Sequence, residues 1–447
     1  MNIHRLLTLL LLWAGSAYAQ GPQITSWLQN TSGITGRHYV AGNSTPIVDA
    51  VLANVQMVQY STNWVYVSTN GIPSYITGPF LDGNPSIAQS QNAIFRMPLN
   101  PVQNTGTPTA TTMGNIGIFV NGVAFFDHRD GVSWRNSSGS LAGGPLGGMG
   151  DNVWNRDAVV AERAGFDCAK GHPAMGNYHH HQNPSAFNLD LSVISNVCDL
   201  YAADGLYVLD STAHSPLIGF AYDGFPVYGA FGYVNTNGTG GITRMKSGYQ
   251  LRNITARTHY SNGTDVTDGP AVNATYPLGY FREDYEFVAS TDPDRLDEHN
   301  GRFCVTPEYP AGTYAYFCTV DENWNSAYPY IVGPTFYGTK VASRVNSITE
   351  PTTIYTPSTT GLSQVAVEDA LVSIYPNPAS DVVAVQLKSF LDADCPVLLF
   401  DTRGRLIERK LLPQGSTIAY FDTRRLYAGE YLVVVGDVSR RVLLVKD

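Results

Sequence analysis

Hydrophobic positions along this chain fall in short runs rather than in helical stripes. IGIFVNGVAFFDH (Ile116–His128), LIGFAYDGFPVYGAFGYV (Leu217–Val234) and TYAYFCTV (Thr313–Val320) are rich in Tyr, Phe and Val and are cut by Gly and Pro. β-branched and aromatic residues suit the pleated, half-buried surface of a strand, so these runs predict sheet. WNRDAVVAERAGFD (Trp154–Asp167) is the one stretch that reads as a short helix. No internal repeat stands out. The stretch from about residue 23 to residue 340 therefore reads as one β-rich domain. From residue 341 to 369 the pattern gives way to VASRVNSITEPTTIYTPSTTGLSQVAVE, rich in Ser, Thr and Pro, which predicts an extended linker. Residues 370–447 return to short apolar runs separated by turn signals at Asn377-Pro378, Arg403-Gly404 and Ala428-Gly429. That spacing predicts a small immunoglobulin-like β-sandwich. The expected fold class is mainly β throughout.

Composition narrows the setting. Of 447 residues, 43% are hydrophobic, enough for a sizeable core, but only 14% are charged, well below the usual ~25%. A surface built on Asn, Ser, Thr, Gly and Tyr suits an extracellular protein. The net charge is −10 and no basic stripe is present, which excludes nucleic-acid binding through phosphate neutralisation. Arg5, the apolar run Leu6–Trp13 and the small-x-small triplet Ala17-Tyr18-Ala19 predict a signal peptide over residues 1–19. The run is about half the ~20 residues that a membrane span needs, and no later segment is apolar enough to cross one.

The tail carries YPNPASD, LFDTRGRLI, LYAGEYLVVV and a terminal VLLVKD. In the order of these parts it resembles the C-terminal sorting domain of type IX secretion substrates. The resemblance implies passage through the periplasm and then recognition by the type IX machinery. It further implies release, or attachment to the cell surface, with surface polysaccharide as the attachment partner. It also places the odd cysteine: of Cys168, Cys198, Cys304, Cys318 and Cys395, the last lies in the tail and four remain for the exported domain. Tyr309-Pro310-Ala311-Gly312 is a turn signal between Cys304 and Cys318. A hairpin there would set those two opposite each other, leaving Cys168–Cys198 to close a loop of about 30 residues, a constraint of roughly 3 kcal/mol.

That loop contains GHPAMGNYHHHQNPSAF (Gly171–Phe187), which holds four of the chain's ten histidines. Gly176 before the triple run and Asn183-Pro184 after it argue against helix. In an extended segment side chains alternate faces, so His179 and His181 share one side and Tyr178 and His180 the other. His172 could return to the first side because Gly171 and Pro173 favour a turn. Three imidazoles on one side suit a transition metal such as copper or zinc, and no Cys-x-x-Cys pair marks a zinc finger. The same residues could instead form a hydrogen-bonded His/Tyr network, or supply a general acid or base. No Gly-x-Ser-x-Gly elbow is present, and an exported Cys168 is better read as bridged than as a thiolate.

At these residues the chain resembles the YHYH family of exported bacterial proteins. Its tetrad is Tyr178-His179-His180-His181, so the third position departs from the family's name. Further blocks of resemblance are Asn121–Asp127, Phe166–Pro173, Ile218–Gly229 and Leu296–Phe317. The resemblance implies a β-rich exported domain with a metal- or ligand-binding His/Tyr site; it implies no reaction.

Other residues carry two readings each. Asp223 in AYDGFPVYG is either an Asp-Gly turn residue or a carboxylate that holds a ligand imidazole in one tautomer. Asp297, Glu298 and His299, like Asp321 and Glu322, are either solvated loop charges or oxygen ligands for calcium, and paired carboxylates also serve glycoside hydrolysis. The 27 tyrosines and 6 tryptophans either pack the sheets or present platforms for sugars and partner proteins. The leading expectation is binding of a metal, or of a ligand through one, by His172, His179 and His181. An extracellular hydrolase and a carbohydrate- or protein-binding module are the alternatives.

Overall fold

The computed structural model describes residues 20–82, 86–192, 197–201, 205–357, 371–387, 395–401, 405–413, 416–435 and 438–444. The signal peptide expected over residues 1–19 lies outside the described residues. The chain divides into two compact units, residues 1–355 and 356–447.

The first unit is built on an eight-stranded mixed sheet. In chain order its strands are β1 (Asn115–Phe119), β2 (Ala124–Phe126), β3 (His172–Ala174), β4 (Asn177–His180), β5 (Leu217–Ala221), β6 (Pro226–Tyr228), β7 (Gly301–Cys304) and β8 (Thr313–Phe317). Their spatial order is β3-β4-β2-β1-β5-β6-β8-β7. The three aromatic runs singled out in the sequence supply β1, β2, β5, β6 and β8. Every described residue of β5 and β6 is buried, as expected for central strands covered on both faces. A second, antiparallel sheet of five strands runs Ser343–Val345, Ala93–Pro98, Trp64–Thr69, Val55–Tyr60, Thr353–Tyr355. The two sheets share one buried cluster that includes Val55, Val67, Phe95, Ile118, Phe119, Phe220 and Tyr316. Phe95 of the second sheet meets Tyr222, just past β5, at 6.4 Å, and Trp27 packs on Phe220 of β5 at 5.3 Å.

Two expectations change here. Ser343–Val345 and Thr353–Tyr355 fall in the stretch read as linker, yet they pair with Ala93–Pro98 and Val55–Tyr60 as the outer strands of that sheet. Three-residue strands are too short for a period-2 pattern to show in a Ser/Thr/Pro-rich background. The short helix is also smaller than expected. Asn155–Asp157 is a strand, Ala158–Ala161 makes a single α-turn and Arg163–Gly165 a 3₁₀ turn. Asp157 caps the α-turn, accepting from Val160 N at 3.1 Å. Asn155–Asp157 pairs with Arg129–Arg135 in a small three-stranded sheet. That sheet brings the chain after β2 beside the turn that ends at Glu162.

The second unit contains a three-stranded sheet (Leu371–Tyr375, Val382–Leu387, Ile418–Asp422) and a four-stranded one (Leu406–Leu412, Cys395–Asp401, Gly429–Val435, Val438–Leu444). Cys395–Asp401 and Gly429–Val435 bury alternate residues. Val383, Val385, Leu387, Val397, Leu399, Phe421, Val433 and Val435 form one core between the sheets. This is the expected β-sandwich, and Cys395 is a buried free thiol in it. Among the described residues no helix is long and apolar enough to cross a membrane.

Candidate functional site

The histidine stretch forms a hairpin at the edge of the eight-stranded sheet. β3 and β4 pair antiparallel with His172 opposite His179 and Ala174 opposite Asn177. The reversal is the two-residue loop Met175-Gly176, with φ of 50° and 82°. Positive φ at both loop residues is the signature of the turn whose twist matches paired strands. The bend expected at Gly171 and Pro173 is therefore made four residues later, and Pro173 lies within β3. His172 and His179 are cross-strand neighbours on one face, and His181 follows two residues on, with its side chain on the same side. Their ring centroids stand 4.6, 4.9 and 5.5 Å apart. One nitrogen from each lies within 4.8 Å of the others, and all three residues are buried.

Aromatic neighbours fix the rings. Phe126 stacks on His179 at 3.7 Å and meets His181 edge-on, while Phe166 meets His172 edge-on at 4.9 Å. Backbone carbonyls fix two tautomers. His179 Nδ1 is 2.9 Å from Asn177 O, and His181 Nδ1 is 2.5 Å from Asp127 O. A carbonyl only accepts, so both Nδ1 atoms carry the proton and both Nε2 atoms present lone pairs. Those two Nε2 atoms face each other at 3.1 Å. Burial, followed by the neighbouring imidazoles, holds His172 and His179 well below the usual histidine range, and burial lowers His181 as well. Neutral rings whose Nε2 lone pairs face each other leave that pair without a proton between them.

A fourth donor completes the group. Glu162 Oε2 lies 3.3 Å from His181 Nε2 and 3.4 Å from His172 Nε2. Both Glu162 Oε2 and His172 Nε2 are buried without a hydrogen-bond partner among the described residues. Burial, then the carboxylates of Asp130, Asp82 and Asp157, push Glu162 up to about 8. A cation at the imidazoles would pull it down again by favouring the charged form. Glu162 escaped the sequence reading because it closes the one-turn helix and is distant in sequence from the hairpin. Its only signal was a charged residue, in a chain poor in charge, just before Phe166–Pro173.

The four donor residues open onto a cavity of about 140 Å³ that is also lined by Met113, Phe126, Arg129, Asp130 and Ala174. Three larger clefts, about 730, 340 and 290 Å³, contain none of these histidines. Volume alone therefore does not locate the chemistry.

The other face of β4 is a closed polar network. Tyr178 donates to Asp167 Oδ2 at 2.9 Å. His180 Nδ1 donates to Lys170 O at 3.1 Å, so its Nε2 accepts from Tyr75 OH at 2.7 Å. Burial takes His180 down to about 3, which keeps it neutral. The network reading of the histidine run thus applies to this face of the strand, while His179 and His181 lie on the other. Gly171 permits the network: a Cβ there would lie 2.3 Å from Tyr178 Oη and 2.9 Å from His180 Cε1. Gly171→Ala should cost about 1–3 kcal/mol by overpacking, measured by denaturant unfolding, with the spectroscopic signature of folded tyrosines retained in buffer.

Asp223, Asp297 and His299 lie outside the cavity. Asp223 accepts from Tyr316 OH at 2.5 Å and Gly338 N at 2.8 Å, and sits in the Asp-Gly turn between β5 and β6. Asp297 accepts from Tyr314 OH (2.8 Å) and His299 N (2.9 Å), and His299 Nδ1 meets Thr335. Asp321 caps its own loop through Asn323 N and Asn325 N. These are loop-tying carboxylates. Tyr178, Tyr228, Tyr314, Tyr316, Tyr328 and Tyr330 are buried, as sheet packing requires.

The disulfide expectation is half met. Cys168 and Cys198 are bridged, with Cα atoms 5.4 Å apart, so the hairpin lies inside the closed loop and Cys168 is no thiolate nucleophile. Cys304 and Cys318 are buried free thiols. The hairpin between them exists, but its register pairs Cys304 with Thr313. Cys318 then lies five residues further along, about 16 Å of strand, too far for a bridge.

Comparison with known proteins agrees with this picture. The model of the family described as YHYH protein matches residues 94–329. That of the secretion system C-terminal sorting domain matches residues 373–444. No curated protein matches the chain. Among solved structures it is similar to dimeric latent PorU from Porphyromonas gingivalis, at 17% identity over 17% of this chain and 9% of that one, with a TM-score of 0.15. A likeness that limited carries no argument.

Proposed function

The chain belongs to the YHYH protein family and carries the sorting tail of an exported type IX substrate; from that premise we propose that its exported domain binds a transition-metal ion through His172, His179, His181 and Glu162. One observation carries the reading. His179 Nε2 and His181 Nε2 at 3.1 Å, His181 Nε2 and Glu162 Oε2 at 3.3 Å, and Glu162 Oε2 and His172 Nε2 at 3.4 Å are three separations close to the edge of about 3.3 Å of a tetrahedron with 2.0–2.1 Å metal–nitrogen bonds, and one nitrogen of each histidine lies within 4.8 Å of the others. Three neutral imidazoles and a carboxylate suit zinc or copper. The second-row contacts support it: Asn177 O and Asp127 O hold two ligand rings in the tautomer that aims Nε2 at the centre, as outer hydrogen bonds do in metal sites. A metal ion bound there would supply a Lewis-acid centre beside the cavity. A signal peptide over residues 1–19 and, after sorting, attachment to surface polysaccharide belong to the same proposal.

The test is metal analysis of tag-free protein purified without added metal. About one transition-metal ion per chain is expected, falling to background in His179→Ala and His181→Ala. Background metal in the native protein, unchanged in the variants and after dialysis against zinc or copper, would overturn the reading.

A further inference from the structure

We propose that the cavity beside the four donors is a binding site for a small carboxylate anion, held between the metal and Arg129. The inference rests on the metal reading and adds a ligand class to it.

Arg129 is the cation in the cavity wall with donors to spare. Its Nε donates to Asp127 Oδ2 at 2.8 Å, and its Nη2 donates to the same oxygen and to Thr111 O. These contacts clamp one edge of the guanidinium. Nη1, on the other edge, has no hydrogen-bond partner among the described residues, and the side chain is 16% exposed. A clamped guanidinium with a free nitrogen is preorganised to donate to an oxyanion.

The charges agree. Arg129 is balanced by Asp127, and the wall's other carboxylate, Asp130, is balanced by Arg156 at 2.5 Å and accepts from Val132 N at 2.9 Å. A divalent ion with Glu162 as its one anionic ligand leaves a single positive charge, which one carboxylate neutralises. A volume of about 140 Å³ equals that of four or five waters at roughly 30 Å³ each. That space admits acetate-sized molecules. Met113 and Phe126 supply the apolar side that would meet the carboxylate's carbon chain. The carboxylate would then be held by the metal, as a ligand beyond the four side chains, and by Arg129 Nη1.

The experiment uses the full chain loaded with Co(II), whose visible spectrum reports its ligands, and titrates sodium acetate at constant ionic strength. Wild type should give a saturable spectral change. Arg129→Lys keeps a cation on Asp127 but removes the free edge, and Ala174→Leu fills the cavity without touching Arg129. Each should weaken acetate at least tenfold while Co(II) affinity stays within threefold. No Co(II) binding by wild type overturns the metal reading and this one with it. Co(II) binding with no acetate response, or with an acetate response equal in both variants, overturns the carboxylate site alone.

Discussion

Adding Zn(II) to metal-stripped protein should raise the unfolding free energy of the exported domain by about 4 kcal/mol once free ion reaches a thousand times its Kd. The His181→Ala variant should show almost none of that gain. The stripped site is poorly matched to itself. Two Nε2 lone pairs face each other at 3.1 Å, and Glu162 Oε2 and His172 Nε2 are buried without hydrogen-bond partners among the described residues. Each buried unpartnered polar atom costs about 1–3 kcal/mol, so an ion that engages all four removes several penalties at once. His181 is the most informative position because its ring approaches both His179 and Glu162. The check is chemical denaturation with and without Zn(II) at buffered free-ion concentrations. The outcome that sinks the idea is a midpoint that shifts equally in wild type and variant, since ions bound elsewhere would not require His181.

Strand alternation alone was enough to divide the histidine run, because period-2 geometry depends on the chain being extended and on little else. It placed His179 and His181 together and His180 apart, as β4 does. His172 joined them through a turn that the sequence reading put at Gly171-Pro173. Met175-Gly176 makes it instead, and Met at positive φ gives no turn signal in the sequence. Glu162 was illegible for a different reason. It reaches the site through the pairing of Asn155–Asp157 with Arg129–Arg135, a tertiary contact between segments whose local patterns say nothing of each other. Cys304 and Cys318 show the converse: the hairpin was legible, but a register of five residues decides whether two thiols meet, and the turn sequence does not fix it. The tail was legible as short apolar runs between turn signals, and its described strands follow them, whereas the outer strands at Ser343–Val345 and Thr353–Tyr355 borrow their order from neighbours already in place.

The two faces of β4 should separate under mutation. His180→Ala should destabilise the metal-free protein by about 3–5 kcal/mol while leaving metal stoichiometry near one per chain. His180 is fully buried and each nitrogen has a partner, so the truncation opens a cavity, strips Lys170 O of its donor and leaves Tyr75 OH without its acceptor. His179→Ala should do the reverse. It removes one of two opposed lone pairs, so part of the packing loss is offset, and its cost to the metal-free protein should be smaller; its cost to metal binding should be near complete. Urea unfolding of both variants, stripped and loaded, measures the four numbers. If His180→Ala abolished metal binding in protein that remains folded by circular dichroism, the two faces would be one coupled site, and the assignment of His180 and Tyr178 to the structural network would fail. The division follows from the β-strand itself: adjacent histidines on it cannot reach the same ion, so the family tetrad at Tyr178–His181 contributes two side chains to the candidate site and two to the network beneath the sheet.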